Sequence, residues 1–174
     1  VRHDSIETSD WQKIYNLPIT LNVSNFHKEL QYKILHRIIS TNKLLVQMKI
    51  LNDPHCRNCK TEIESIEHLF FKCEQVKRFW DVIISIYNLI CSSRQVIVTE
   101  SLIFFGCYLG QGIQCEFLNV LILLGKSTIW YCKQNNLQIN LSMYYGILKN
   151  YLCTFSTMPE QIEAMLEIIS IVHL

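Results

Sequence analysis

Residues 56–73 read Cys56-Arg-Asn-Cys59-Lys-Thr-Glu-Ile-Glu-Ser-Ile-Glu-His68-Leu-Phe-Phe-Lys-Cys73. Two thiols three positions apart can grip one metal ion from a tight turn, and a histidine and a third thiol follow. Three sulfurs and one imidazole nitrogen suit tetrahedral zinc. The outer two ligands are interleaved with Ile66, Leu69, Phe70 and Phe71, so metal binding and core formation are expected to be one event. His68 and Cys73 are five positions apart, about 140° around an ideal α-helix. Both reach one ion only if His68 lies near a helix start or the helix is irregular between them. The axis is therefore expected to change near Cys73 or Glu74.

Three other readings of these residues stand beside the metal site. Cys56 and Cys59 could be a chance pair in a cysteine-rich chain, or a redox dithiol. A dithiol leaves His68 and Cys73 unexplained, and no thioredoxin-like strand–helix pattern surrounds it. His55 could replace His68, although adjacency to Cys56 points its side chain awkwardly.

Outward from this segment, composition narrows the class. Apolar residues make up 49% of the 174 and charged residues 18%, which excludes a disordered linker and supplies a real core. The net charge of +1 excludes a general polyanion binder, so any nucleic-acid role must come from a local patch. No apolar run approaches the length of a membrane span. Eight cysteines raise the alternative of a secreted disulfide scaffold. Five of them (Cys91, Cys107, Cys115, Cys132, Cys153) stand singly in apolar or helical surroundings, where a thiol behaves as a small hydrophobe. The opening Val-Arg-His-Asp is no secretion leader and reads as the start of a piece of a longer polypeptide. An intracellular setting, cytoplasm and nucleus, without secretion is expected.

Taken in order, the chain reads as helices. Trp11–Leu17 is a short segment that Pro18 should end, with Trp11, Ile14 and Tyr15 as anchors. Asn22 and Ser24 offer caps to an amphipathic helix from Phe26, with Leu30, Ile34 and Ile38 on one side. Ser40-Thr41-Asn42 interrupts it and can cap a second helix carrying Leu44, Leu45 and Met48. Leu51–His55 is a turn into the knuckle. Ser65 to about Ile90 is helical, packing through Leu69, Val76, Phe79, Trp80, Ile83, Ile84 and Tyr87. Cys91–Arg94 is a loop, and Val96–Thr99 is extended or a linker. Phe117–Asn135 is a buried apolar helix, Leu141–Phe155 another, and after the break at Met158-Pro159 comes a last helix, Glu160–Val172.

The expected architecture is all-α, an irregular bundle of about six to seven helices stapled by one CCHC zinc knuckle. Its parts are a lead segment (1–25), basic helices plus knuckle and following helix (26–90), a loop or linker (91–116) and a C-terminal helical part on the same body (117–174).

Residues 27–60 hold seven Lys or Arg (28, 33, 37, 43, 49, 57, 60) against Glu29 and Asp53, a local balance of +5. This patch is read three ways: a solvated helix face, a set of nucleic-acid phosphate contacts, or an interdomain surface. For phosphate contact the candidates are Lys28, Lys33, Arg37, Lys43, Arg57 and Lys60. Three thiolates, a neutral imidazole and Zn²⁺ sum to a net negative centre, which Arg57, Lys60 and Lys72 stand near enough in sequence to offset. With all four positions filled by Cys56, Cys59, His68 and Cys73, the single zinc would be structural and closed to water. The second nitrogen of His68 needs an acceptor, for which Glu64 and Glu67 are candidates. Clustered carboxylates for two-metal chemistry are missing, since Asp53 and Asp81 stand alone, so no catalysis and no small-molecule substrate are expected of this segment.

These residues resemble the zinc-binding region downstream of the polymerase domain in non-LTR (LINE-like) retrotransposon reverse transcriptases. The resemblance rests on Cys56-x2-Cys59-x8-His68-x4-Cys73, the acidic stretch Glu62–Glu67, and Glu67-His-Leu-Phe-Phe-Lys-Cys73 followed by Phe79-Trp80. The upstream segment Phe26–Asn42 resembles the helix leading into that knuckle. Leu118–Lys133, with Gly125-Lys126 and Ile129-Trp130-Tyr131-Cys132-Lys133, is similar to the tail of animal members. The likeness spans about residues 11 to 155. It implies a parent polyprotein that is an RNA-directed DNA polymerase, with this segment a non-catalytic module. The module would hold RNA or DNA backbone during target-primed reverse transcription and pack on the upstream polymerase domain. The alternative is a purely structural, zinc-stapled protein-interaction domain, for which an exposed apolar patch from residues 102–130 is expected.

Overall fold

The computed structural model describes residues 7–91, 95–110, 112–155 and 159–172. The expected loop Cys91–Arg94, the loop or linker 91–116 and the break at Met158-Pro159 thus fall partly outside the described residues. Among the described residues the structure is helical with no strand: α1 (Thr8–Thr20), α2 (Asn25–Leu35), α3 (Asn42–Gln47), a π turn (His68–Lys72), α4 (Glu74–Ile90), α5 (Glu100–Phe105), α6 (Ile113–Gln134), α7 (Leu141–Phe155) and α8 (Pro159–Val172). The all-α expectation holds. The element count exceeds six or seven because α5 and the π turn are elements of their own.

Three helix ends decide the shape, and none uses glycine. At the end of α2, Arg37 adopts φ 59°, with Arg37 N–H donating to Ile34 O (3.1 Å) and Ile38 N–H to Lys33 O (3.0 Å). Lys49 (φ 59°) ends α3 in the same way, with Ile50 N–H reaching Leu45 O at 2.9 Å. Asn136 (φ 56°) ends α6, with Leu137 N–H reaching Cys132 O at 2.8 Å. These paired bonds satisfy carbonyls that a helix end leaves open. The first long helix therefore stops at Leu35, five residues short of the expected Ser40. Thr41 does cap α3, its hydroxyl accepting from Leu44 N–H at 3.3 Å.

Pro18 does not stop α1, contrary to the sequence expectation. It removes one bond to the preceding turn, but only the last turn of α1 lies beyond it, and Ile14 and Pro18 are both buried against the core. Trp11 meets the Phe105 ring edge-on, centroids 5.6 Å apart, so the anchoring role expected of it is seen.

The core centres on α4 and α6. Trp80, Val76, Ile83, Phe117, Val120, Leu121 and Leu124 are fully enclosed, with Tyr144 from α7 and Met165 from α8. α6 is buried nearly all round from Phe117 to Ile129. The run 102–130 is thereby largely spent inside the chain, and the large exposed apolar patch expected there is absent among the described residues. No described helix is long and apolar enough to cross a membrane.

Two residues of α6 carry particular demands. A Cβ on Gly125 would sit 2.4 Å from the Trp80 ring. That ring is held by an indole N–H donated to Phe70 O at 2.8 Å, so it has nowhere to go. Next to it, Lys126 is 1% exposed and donates to Gln31 Oε1 (2.7 Å) and Phe104 O (3.3 Å), all neutral acceptors. Burial pushes its ammonium down to about 7.

Gly125→Ala should overpack this contact and cost about 1–3 kcal/mol, read as a drop of several degrees in Tm. For Lys126, the unfolded chain keeps a proton up to about pH 10, which the folded chain releases above about 7. Stability therefore rises with pH through that window. In urea titrations of zinc-loaded protein, Lys126→Met should show a less positive slope of stability against pH than the parent chain; an unchanged slope would show that burial does not hold this lysine's proton affinity down.

Candidate metal centre

The knuckle is built by turns rather than by regular structure. Cys56 N–H donates to Glu62 O (2.8 Å) and Glu64 N–H to Pro54 O (2.9 Å), flanking an antiparallel bridge between His55 and Ile63. Inside this loop, Lys60 N–H returns to Cys56 O at 2.8 Å, and Lys60 takes φ 60° to make the turn. The first pair of ligands thus sits on a closed, hydrogen-bonded loop.

The second pair is placed by the π turn. Cys73 N–H donates to His68 O at 3.1 Å, an i→i+5 bond that closes the turn His68–Lys72. One extra residue per turn brings positions five apart back towards one face, which an α-helix would not do. Cys73 then leaves the helix (φ −61°, ψ 132°) and α4 begins at Glu74. The irregular helix and the change of axis expected from the ligand spacing are both present.

The ligand atoms of Cys56, Cys59, His68 and Cys73 all lie within 4.8 Å of one another, and Cys59 Sγ is 3.4 Å from His68 Nε2. Cys56, His68 and Cys73 are buried and Cys59 is half-buried. The sulfurs are prepared for charge. Cys73 is drawn down to about 7, first by the Cys56 thiol donating to it, then by backbone N–H groups of Gln75 and Val76 at the start of α4. Cys56 is pushed up as the donor of that bond and by burial. For Cys59, burial works upward but is outweighed by hydrogen bonds from the Thr61 hydroxyl and the N–H groups of Thr61 and Glu62, and the thiol is lowered. Three sulfurs facing N–H donors and one imidazole nitrogen, gathered this closely, fit a single structural zinc ion.

The carboxylates proposed for His68 have other bonds. Glu64, 3% exposed, accepts from Asn42 N–H (2.9 Å) and from Lys133 Nζ at the end of α6. Lys133 also donates to Asn42 Oδ1 (2.8 Å), and the Asn42 amide donates to His55 O (2.8 Å). Glu67 pairs with Arg37 at 2.5 Å. Burial works against the Glu67 carboxylate, but a backbone N–H and the Arg37 and Ser65 side chains bring it down to about 2. Lys72, expected to offset the centre's charge, reaches Glu100 of α5 instead (3.7 Å).

The basic candidates divide. Lys28 donates to Ile19 O (3.3 Å), Lys33 pairs with Glu29 (2.6 Å) and Arg37 with Glu67, so these three carry bonds within the chain. Lys43, Arg57 and Lys60 are exposed, and no ion partner faces them among the described residues. Arg57 and Lys60 line a cavity of about 440 Å³ beside the knuckle with Asp53, His55 and Cys56. His55 there bonds Asp53 at 2.6 Å and does not enter the ligand cluster. Sequence reasoning missed the Glu64–Lys133 bond, because no local pattern pairs residues so far apart.

Residues 1–80 match the family model described as zinc-binding in reverse transcriptase, a span that includes all four ligands and ends on Trp80. No curated protein and no solved structure matches the chain.

One zinc per chain is expected by elemental analysis, and Cys59→Ala should lose tight binding. Since a structural zinc site of this kind is worth on the order of 10 kcal/mol, chelation should unfold at least the knuckle and loosen α4, seen as lost helical ellipticity that returns on adding zinc. Carefully prepared protein without zinc that melts identically with and without chelator would contradict the assignment.

Proposed function

We propose that this chain, whose residues 1–80 match the reverse-transcriptase zinc-binding family model, is a non-catalytic accessory module of a retrotransposon reverse transcriptase polyprotein. It contacts the RNA or DNA backbone during target-primed reverse transcription. The observation that supports this reading is that Arg57 and Lys60 are exposed cations on the turns that build the zinc site, with exposed Lys43 next to them at the start of α3, where its N–H reaches Glu64 O (3.3 Å). The cavity beside Arg57 and Lys60 is large enough for a phosphate group, and its two cations outweigh the Asp53 carboxylate that also lines it. Lys28, Lys33 and Arg37 are secondary, since each is already bonded within the chain. Zinc acts at a distance here: it fixes the loop from which Arg57 and Lys60 project, so phosphate contacts need no ordering when they form.

A second reading concerns the polymerase domain expected upstream in the same polypeptide. Ile38, Met48, Ile50 and Ile63 are each about half exposed or more, a concentration of large apolar side chains around the knuckle. This stretch, rather than residues 102–130, is the face that would pack on the polymerase.

Fluorescence anisotropy of zinc-loaded protein with single-stranded RNA and with duplex DNA tests the first reading. Affinity should fall with salt, by roughly 0.7–0.9 in log–log slope per phosphate contacted. Replacing Lys43, Arg57 and Lys60 together by Gln should flatten that slope by about two to three while leaving zinc content unchanged. Absence of measurable affinity at low salt would overturn autonomous binding.

A further inference from the structure

We infer that Cys107 and Cys115 form a second thiol site, separate from the zinc ligands, that closes to an intramolecular disulfide when a peroxide reaches it. The two sulfurs lie 3.3 Å apart, each half-buried, and they are not joined. Their backbones are held in place. Cys107 N–H donates to Asn119 Oδ1 (2.7 Å) and the same amide returns to Cys107 O (3.4 Å), while Cys115 is fixed in the first turn of α6. A disulfide needs the sulfurs about 2.05 Å apart, so closure asks for little more than 1 Å of approach, within reach of small side-chain rotations.

Gly110 leaves room for this pair. Gly110 passes so close that a Cβ there would lie 2.3 Å from Cys115 Sγ and 2.8 Å from Cys107 Sγ. Both sulfurs line a cleft of about 460 Å³ bordered by Lys13, Asn16 and Thr20 of α1, wide enough for a small oxidant. Cys56, Cys59 and Cys73, by contrast, are committed to the metal centre.

The chemistry balances with one peroxide. One thiolate attacks an oxygen, breaking the O–O bond, and becomes a sulfenic acid as hydroxide leaves and is protonated to water. The second sulfur then displaces the sulfenic oxygen as another water. Two thiols and one peroxide give one disulfide and two waters. The product ties the α5–α6 connection to the start of α6, directly under α1.

The test uses the zinc-loaded chain treated with one equivalent of hydrogen peroxide, alkylated, and digested after Lys and Arg. Residues 95–126 then leave as one peptide holding Cys107 and Cys115 and no other cysteine. That peptide should be two hydrogens lighter and unalkylated, return to the reduced mass with dithiothreitol, and form while zinc stays bound. Cys115→Ser should abolish the two-hydrogen loss and leave Cys107 singly modified, whereas Cys91→Ser should leave the cross-link intact. A doubly alkylated 95–126 peptide after other cysteines have oxidised would overturn the proposal. So would zinc release that precedes any change in this peptide, or loss of the cross-link in Cys91→Ser.

Discussion

The arrangement depends on one buried ion pair. Glu64, from the knuckle, and Lys133, from the last turn of α6, meet across 69 residues of sequence, with only 4% and 13% of their side chains exposed. Removing one partner of such a pair leaves a stranded charge and costs about 3–5 kcal/mol. Asn42 completes the junction, giving its backbone N–H to Glu64 and its side-chain oxygen to Lys133. A cation at the C-terminal end of α6 is also favoured by the helix dipole. Three segments that share no local contact are joined at this point: the start of α3, the metal loop and the buried helix.

A second junction lies on the other side of the metal site. The π turn and the residue that ends it bring His68 and Cys73 up to Cys56 and Cys59, and the same turn delivers Phe70 to the core, where its carbonyl takes the indole N–H of Trp80. Trp80 in turn fills the space that Gly125 leaves empty. Metal ligation is therefore continuous with the α4–α6 packing, and a change at the sulfurs is felt two helices away.

Much of this was legible in the residues. The ligand set follows from spacing and donor chemistry, and the five-residue interval between His68 and Cys73 already demands an irregular helix. α6, α7 and α8 are visible because their apolar residues are dense or periodic, although α6 begins four residues before its apolar run does. What escaped was structure without a local signature. Arg37 and Lys49 end helices in a conformation for which glycine is the usual sign. Pro18 was read as a stop because its context, burial of the turn that contains it, is not written nearby. α5 is too short for periodicity to register. Lys126 and Lys133 sit in a helix read as buried and apolar, and only the tertiary fold supplies their partners, Gln31 and Glu64. The basic patch was overcounted for the same reason: composition counts cations, whereas the fold shows which are already paired.

The left-handed turns have a consequence of their own. Arg37, Lys49 and Lys60 each hold a backbone conformation that costs an ordinary residue about 1 kcal/mol and glycine almost nothing. Glycine would relax the backbone at each, although at Arg37 it would also strand the Glu67 carboxylate that Arg37 now pairs with. Durability and surface potential are opposed at these turns. At Lys49 and Lys60, by contrast, a copy of this sequence under no demand for surface charge would gain stability as it lost charge, so glycine at these two positions is a gauge of whether that charge is needed.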